Sequence, residues 1–335
     1  MKEISIKDIE GIRIGSAEDF EGGTGVTVII CEDGAAAGLD IRGGGPAVRD
    51  SQLLNPLTNA SEIHAVLLGG GSAFGLNATG GVQHYLEDRE IGYDTGSAIV
   101  PLVCQADIYD LGVGDPSCRP DERMGYQACL NSEKDNYKDG CFGVGTGATV
   151  GKFFGLDRCM KSGVGSYAVQ IGDLKIGALV VVNAFGDIFD CCGKQIAGVR
   201  SEDGKALRNT AELMYANINM GGNKFTAGSE DSIIDNENKF AGNTTLGVII
   251  TNAGFEKSRL CKITGMTHNG YARSIKPVHT SADGDAIFAL SVGNIKADTD
   301  VVGTLAAEVM SKAIERAVFA AEAAYGLPCA KDLIG

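Results

Sequence analysis

Short apolar runs, separated by turn residues and Gly-rich stretches, form the dominant pattern of this chain. Runs rich in β-branched and aliphatic residues predict strands at 24–31, 36–40, 63–68, 167–171, 174–182, 244–251 and 286–293. A turn at Glu32-Asp33-Gly34 is expected to join the first two strands, and Gly172-Asp173 is expected to close a hairpin. Apolar residues at helical spacing predict helices at 72–88, 256–274 and 301–325.

The order of these elements indicates the fold class. Strands follow one another through short turns and helices come in blocks, without the regular alternation of a doubly wound sheet. This order predicts an α+β fold built in layers. The polar stretch 117–140 is expected to be an exposed excursion, and the stretch 221–241 a flexible linker or surface loop.

Composition narrows the range of partners. The 335 residues are enough to bury a large core, and the net charge is −14. An acidic surface repels phosphate backbones and anionic lipid heads, so nucleic acid and membrane surfaces are not expected partners. No stretch approaches the roughly 18 apolar residues that span a bilayer. The beginning of the chain does not resemble a signal peptide, so a cytoplasmic protein is expected.

Cysteine and histidine usage bears on metals and redox state. The ten cysteines contain no CxxC pair, and the four histidines are scattered. Free thiols in a reducing compartment are therefore expected. Neither a metal site nor a bound cofactor is predicted.

The Gly-rich segment GVGTGATVGK (143–152) is similar to a phosphate-binding loop but fails its spacing. The Walker pattern requires Gly where Thr146 stands and Ser or Thr where Phe153 stands. Nucleotide binding is therefore not predicted. Two interpretations of the Gly-rich loops stay open: tight turns, or backbone N–H groups that surround an anion or oxyanion.

A candidate nucleophile lies in FAGNTTLGVIIT (240–251), where the polar stretch ends and an apolar strand begins. The Thr244 hydroxyl could attack the Asn243 carbonyl, and an N→O acyl shift followed by hydrolysis would leave Thr244 as a new N-terminus. Its α-amine, with an ordinary pKa of about 7.7–8.0, could then act as base for the same hydroxyl. The alternative is an ordinary strand start with Asn in the preceding turn.

Several blocks give this local signal a family context. They are RGGGPAVRD (42–50), LGGGSAFGL (68–76), IYDLGVGD (108–115), GVGTGATVGK (143–152), MKSGVGS (160–166), VVVNAFGD (180–187), GNTTLGVIIT (242–251) and PVHTSADGDAIFAL (277–290). In order and spacing they resemble the self-cleaving amidase family of the L-aminopeptidase/D-amidase/D-esterase, the β-peptidyl aminopeptidases and the nylon-oligomer hydrolases. The last branch is the most similar.

This resemblance implies a four-layer αββα sandwich of the self-processing aminopeptidase/ornithine acetyltransferase type. It implies one hydrolase domain over 1–335, cut into 1–243 and 244–335, in a homo-oligomer that is a tetramer or larger. No cofactor and no metal are implied.

The resemblance also assigns roles to individual residues. It makes Thr244 the nucleophile after the scissile bond of Asn243, with Asp283 and Asp285 as the acidic pair that touches it. The nylon-oligomer branch likewise uses Asp at both positions. On the residues alone, the Asp-Gly-Asp sequence could also simply shape a turn.

Four further residues follow from the same comparison. Lys161 matches a Lys near the active site, and Asn183 matches the Asn of the oxyanion hole. Tyr109 and Gly147 are candidates for contact with substrate or oxyanion. Their alternative interpretations are a solvated Lys side chain and an Asn that caps a turn or helix.

The function implied is hydrolysis of small amides through an acyl-enzyme on Thr244. The substrates would be peptides with free amino ends, β-peptides or 6-aminohexanoate oligomers. Two alternatives stay open: acyl transfer of the ornithine acetyltransferase type, and a non-catalytic binding protein that keeps the fold.

Overall fold

A computed structural model describes residues 1–219 and 242–334. The predicted linker 221–241 lies outside these residues. The described strands in chain order are β1 Lys2–Ile4, β2 Arg13–Asp19, β3 Thr24–Ile41, β4 Ala47–Arg49, β5 Ile63–Gly69, β6 Tyr93–Asp94, β7 Ile99–Val100, β8 Val103–Asp107, β9 Thr149–Val150, β10 Met160–Lys161, β11 Val164–Ile171, β12 Leu174–Asn183, β13 Asp187–Phe189, β14 Gln195–Ala197, β15 Thr244–Ala253, β16 Ile275–Lys276 and β17 Ala286–Ile295.

The helices of the same residues are α1 Ala78–Glu87, α2 Glu122–Ser132, α3 Thr210–Asn219, α4 Lys257–Ser274, α5 Thr299–Ala320 and α6 Ala330–Ile334. Short 3₁₀ helices lie at Ile6–Asp8, Ser51–Leu54, Ser72–Asn77, Gly143–Gly145 and Gly155–Arg158.

Four layers stack on one another. One sheet has the order β1-β11-β12-β15-β17-β3, and the other has β3-β5-β8-β4 with β2 also paired to β3. Apolar residues of both sheets, such as Val248 and Val66, meet in a shared core between them. Helices α4 and α5 cover the outer face of the first sheet, and α1 and α2 cover the outer face of the second. The predicted αββα sandwich is confirmed.

Strand β3 joins the two sheets. The turn expected at residues 32–34 is wrong, because the chain runs on as one strand of 18 residues. Its first half pairs with β2 and β5, and its second half pairs with β17. The register against β5 shifts between Ile30 and Ala35, and Gly34 at φ 77° lies inside this shift. The polar residues at 32–33 therefore lie at the bend where β3 passes from one sheet into the other.

Three segments differ from their predictions: one expected loop contains a helix, and two expected helices have other bounds. Part of the supposed excursion 117–140 is α2, whose Asp121 side chain caps the Met124 N–H and whose Ala128 and Cys129 are buried. Its small buried face allows close packing on α1 but gives a weak apolar signal. The helix expected at 72–88 begins as a 3₁₀ turn, and the one expected at 301–325 ends at Ala320.

The centre of the first sheet holds β15 between β12 and β17. It pairs antiparallel with β12 and parallel with β17. The first residue of β15, Thr244, lies opposite Asn183 at the end of β12. The candidate nucleophile therefore occupies the end of one of the two central strands of this sheet.

Candidate active site around Thr244

Thr244 is buried at the boundary between the loop and the sheet, with 3% of its surface exposed. The residue before it, Asn243, forms a parallel bridge with Asp283 in the loop that leads into β17. Because β15 and β17 are parallel neighbours, their entry segments meet at the same edge of the sheet. The topology thus brings together the Asn243–Thr244 bond and the Asp-Gly-Asp sequence, 40 positions apart.

The Asn243 peptide is held on both sides by this loop. Its N–H donates to the Ala282 carbonyl at 3.3 Å, and its carbonyl oxygen accepts the Gly284 N–H at 2.8 Å. The Thr244 Oγ also donates to the Asn243 carbonyl oxygen, at 2.5 Å. The hydroxyl therefore lies against the carbonyl it would attack, while the Gly284 N–H polarises that carbonyl.

The two aspartates flank this peptide and are both buried. Asp283 accepts hydrogen bonds from the Phe185 N–H at 3.2 Å and from the Thr280 N–H and hydroxyl at 3.1 and 2.5 Å. Asp285 accepts from the Thr245 N–H at 2.7 Å. One acid therefore anchors the loop itself, and the other anchors the first peptide after Thr244.

Burial, and next the negative charge of Asp285, raise the pKa of Asp283 to about 6. Hydrogen bonds from Thr280 and Phe185 oppose this shift. A carboxyl group with such a pKa can take up or release a proton near neutral pH. The Asp283 carboxyl group can therefore change its charge next to Asn243, with which Asp283 forms a backbone bridge.

The backbone of the Gly-rich stretch Gly43–Gly45 binds the loop that carries Asp283 and Asp285. The Gly45 N–H donates to the Asp283 carbonyl at 2.9 Å, and the N–H groups of Arg42 and Gly43 donate to the Asp285 carbonyl. A Cβ at Gly43 would lie 2.2 Å from the Asp285 nitrogen. A Gly is required because the two backbones are in direct contact.

Asn183 lies buried beside Thr244, and both the oxygen and the nitrogen of its side-chain amide make hydrogen bonds. Its Oδ1 accepts from the Thr149 N–H at 3.0 Å and from the Lys152 ammonium at 2.7 Å. Its Nδ2 donates to the Tyr109 carbonyl at 3.0 Å. These contacts fix the direction in which the Asn183 amide donates.

A buried lysine, Lys152, reaches the chain just before Asn243. Its buried ammonium donates to Asn183 and also, at 3.4 Å, to the carbonyl of Gly242. Burial lowers its pKa to about 7, and the charges of Cys159 and Asp283 partly offset that effect. A lysine in this state can change its protonation near neutral pH.

Lys161, the lysine that the sequence comparison selected, has a different environment. Its buried ammonium donates to the carbonyls of Ala148 and Ser162 at 2.9 and 3.0 Å and to that of Gly145 at 3.3 Å. Burial lowers its pKa as well. These bonds hold the loop that leads to Lys152, so the contacts of Lys161 are with that loop and not with the Asn243 peptide.

Tyr109 borders the site on the side of Gly242. A Cβ at Gly242 would lie 2.3 Å from the Tyr109 ring. Gly147 packs closely on Asp110, where a Cβ would lie 2.5 Å from the Asp110 Cβ. Asp110 in turn accepts the Gly71 N–H at 2.7 Å. The Gly-rich loop 69–71 therefore holds the segment that carries Tyr109.

Three site residues were not selected from the sequence: Lys152, Gly284 and His279, whose ring contacts Asp285. Lys152 ends the Gly-rich segment 143–152, which fails as a phosphate loop and is one of the family blocks, but its residue type alone does not show which groups it reaches. Gly284 and His279 lie within a family block, but residue types alone do not reveal a backbone donor or a supporting ring. Within residues 1–219 and 242–334, no group of three or more His, Cys, Asp or Glu residues could hold a metal ion.

Solved structures with the same architecture identify the fold. The L-aminopeptidase D-Ala-esterase/amidase of Ochrobactrum anthropi, described as a variant of the Ntn hydrolase fold, matches with a TM-score of 0.68 at 17% identity, over 95% of this chain and 86% of that one. A beta-aminopeptidase of Burkholderia sp. matches with a TM-score of 0.63 at 19% identity, over the same shares of the two chains. The fold is therefore that of an N-terminal-nucleophile hydrolase.

Sequence comparison gives the family. An uncharacterized aminopeptidase of Mycobacterium leprae is 34% identical over 97% of this chain and 92% of the relative. A 6-aminohexanoate-oligomer endohydrolase of Agromyces sp. is 31% identical over 92% of this chain and 84% of the relative. Residues 5–329 match peptidase family S58. The chain belongs to this family and is a hydrolase that acts on amide bonds. In the described part of the chain, no helix is long and apolar enough to cross a membrane.

Proposed function

We propose that this protein is a precursor that cuts its own Asn243–Thr244 bond and then uses Thr244 to hydrolyse small amides. The observation that carries the proposal is the arrangement at the Asn243 carbonyl. That oxygen accepts both the Thr244 hydroxyl, at 2.5 Å, and the Gly284 N–H, at 2.8 Å. Nucleophile and oxyanion donor thus converge on the one peptide whose cleavage would create an N-terminal Thr.

The first stage is self-cleavage. Thr244 Oγ attacks the Asn243 carbonyl carbon, and the Gly284 N–H stabilises the oxyanion. Collapse breaks the C–N bond and leaves an ester between Asn243 and the Thr244 hydroxyl, with a free α-amine on Thr244. Water then hydrolyses the ester and releases residue 243 as a carboxylate. The products are 1–243 and 244–335.

The second stage repeats this chemistry on a substrate. The Thr244 α-amine takes the proton from its own hydroxyl as Oγ attacks the substrate carbonyl, and returns a proton to the leaving amine. Asp283 and Asp285 orient the amine, Lys152 offsets their negative charge, and Asn183 borders the developing oxyanion. Water then releases the acid from the acyl-enzyme.

Three substrate classes fit the proposal. Relatives of this chain are named aminopeptidases or 6-aminohexanoate-oligomer endohydrolases. We therefore propose peptides with free amino ends, β-peptides, or ω-amino acid oligomers as substrates. These names do not favour acyl transfer or a non-catalytic binding role. Hydrolysis rates on p-nitroanilides of L-, D- and β-amino acids and on 6-aminohexanoate oligomers would separate the classes.

The assembly and the compartment belong to the same proposal. We expect a homo-oligomer of processed protomers, a tetramer or larger, which light scattering on the purified protein would measure. All ten cysteines are free thiols, as expected for a protein of the reducing cytoplasm.

The decisive experiment is the replacement Thr244→Ala. It should leave one uncut chain without amidase activity, because both stages lose their nucleophile; intact mass and a rate assay check the two results. Thr245→Val is the matched control, since it removes the neighbouring hydroxyl but keeps the N–H that Asp285 holds. An uncut wild-type protein that still hydrolyses amides would overturn the proposal.

A further inference from the structure

His279 lies six residues before Asp285 and contacts it twice. Its ring Nδ1 lies 2.8 Å from Asp285 Oδ2, and its backbone N–H donates to the same oxygen at 3.1 Å. The residue adopts a left-handed conformation with φ 56°. Non-Gly residues are uncommon there, and His is among the types that adopt this conformation more often than others.

The hydrogen-bond partners define the tautomer of this ring. Both oxygens of Asp285 accept backbone N–H groups, from Thr245 and from His279 itself, so the carboxylate acts as the acceptor and Nδ1 as the donor. His279 Nε2 is buried and has no hydrogen-bond partner among the described residues.

Two aromatic rings lie beside that of His279. The ring centroid of His268 lies 4.7 Å from that of His279, and the ring of Tyr271 lies 5.9 Å away. His268 Nε2 contacts the Asp40 carbonyl at 3.1 Å, and burial lowers the pKa of His268 to about 4. The His279 ring thus faces one carboxylate, that of Asp285, and two neutral rings. Charges beyond them, from Asp40 and Arg42, act on His268.

We propose that His279 is a positioning residue, whose ring N–H fixes Asp285 so that its other oxygen holds the Thr245 N–H and with it the first residue of β15. The chain of contacts runs from the ring to Asp285 Oδ2, and from Asp285 Oδ1 to the Thr245 N–H at 2.7 Å. His279 touches neither Thr244 nor a substrate in this scheme; it acts through Asp285. The inference rests on the proposed function, since it assigns a supporting residue to the same site.

Two substitutions separate the hydrogen bond from the backbone conformation. His279→Gly removes the ring and is relaxed at φ 56°. His279→Asn tolerates the same φ and carries an amide N–H close to the position of Nδ1. The first readout is kcat/KM at a fixed pH. We expect kcat/KM to fall about 10-fold in His279→Gly, because Asp285 loses the ring N–H that fixes the direction of its carboxylate. His279→Asn should restore most of the wild-type value.

A second measurement needs no activity. In the uncut Thr244→Ala background, hydrogen exchange at the Thr245 amide should speed up with His279→Gly and stay at the parent rate with His279→Asn. His268→Ala is the control, because it removes an adjacent ring that has no bond to Asp285. It should leave both readouts unchanged.

The outcomes distinguish this inference from the proposed function. A wild-type kcat/KM and unmoved Thr245 exchange in His279→Gly would overturn the positioning role, as would an Asn variant that behaves like the Gly variant. Activity that survives Thr244→Ala would instead overturn the proposed function itself.

Discussion

Gly284 illustrates how one residue contributes through its backbone. Its N–H polarises the Asn243 carbonyl, and a Cβ built on it would lie 2.7 Å from Thr244 Oγ and 2.9 Å from the Gly45 carbonyl. The absence of a side chain is therefore what allows the donor and the nucleophile to share one carbonyl. In the sequence, the two neighbouring aspartates indicate catalytic chemistry, whereas the Gly between them indicates only a turn.

We predict that Gly284→Ala slows self-cleavage by about 100-fold, because the added methyl group must displace the Thr244 hydroxyl from its attack position. Intact mass measured over time after purification gives the rate. Gly45→Ala is the control in the same cluster, since its Cβ would meet only the Asp283 carbonyl, at 4.0 Å. Equal cleavage rates for the two variants would contradict the prediction.

The second prediction at this scale concerns pH. With a pKa of about 6, Asp283 is neutral below pH 6 and ionised above it. The processed enzyme should lose kcat/KM as the pH falls through about 6, because a neutral carboxyl group no longer orients the Thr244 amine. Asp283→Asn should have low activity without this limb. A wild-type limb near pH 4, the usual range of an exposed Asp, would show that burial does not govern this carboxyl group.

At the scale of elements, two buried lysines have different roles: Lys152 contacts the site, and Lys161 contacts the loop that supports it. Lys152 follows β9 and reaches Asn183 and the Gly242 carbonyl, whereas Lys161 ends β10 and binds the carbonyls of the loop before β9. Strands β9 and β10 pair with each other, with Lys161 opposite Thr149. Lys161 thus stabilises the β9–β10 pair and the loop before it. Lys152, which follows β9, is thereby placed to contact Asn183 and the Gly242 carbonyl.

The matched variants Lys152→Met and Lys161→Met test this division. We expect Lys152→Met to remain folded but to process about 100-fold more slowly, because Asn183 loses the donor that orients it. Lys161→Met should instead lower the free energy of unfolding by about 1–3 kcal/mol, since three buried carbonyls each lose one of their hydrogen-bond donors. Intact mass and urea denaturation measure the two effects. The reverse pattern would return the site role to Lys161.

At the scale of the whole molecule, cleavage would not separate the two fragments. The segment 244–335 contributes β15 and β17, which lie between β12 and β3 of the segment 1–243. Eight residue pairs join β12 to β15, and six join β17 to β3. Helices α4 and α5 of the smaller fragment also cover the face of this shared sheet. One hydrophobic core thus belongs to both fragments.

We therefore predict that processed protein elutes as one species under native conditions and separates only in denaturant. Size-exclusion chromatography and denaturing electrophoresis of the same sample check this. The uncut Thr244→Ala protein is the control for native size. Loss of the smaller fragment without denaturant would mean that the interleaved strands do not hold the fragments together.

The sequence by itself determined much of the chain's local structure and its family. The hairpin around Gly172-Asp173, the strands that begin at Thr244 and Ala286 and the helix that begins at Lys257 follow from local apolar patterns, which depend on residues close in the chain. The ordered blocks then gave the layered fold and selected Thr244 and the two aspartates.

Only the tertiary structure decided which groups meet. The continuous β3, the packing of α2, and the contacts of Lys152, Gly284 and His279 depend on backbone donors, close approaches and strand register between segments far apart in sequence. The type of a single residue does not reveal these contacts, since a Lys or a Gly is equally compatible with an ordinary loop. Parallel pairing of β15 with β17 brings the two loop ends together, and that pairing creates the site.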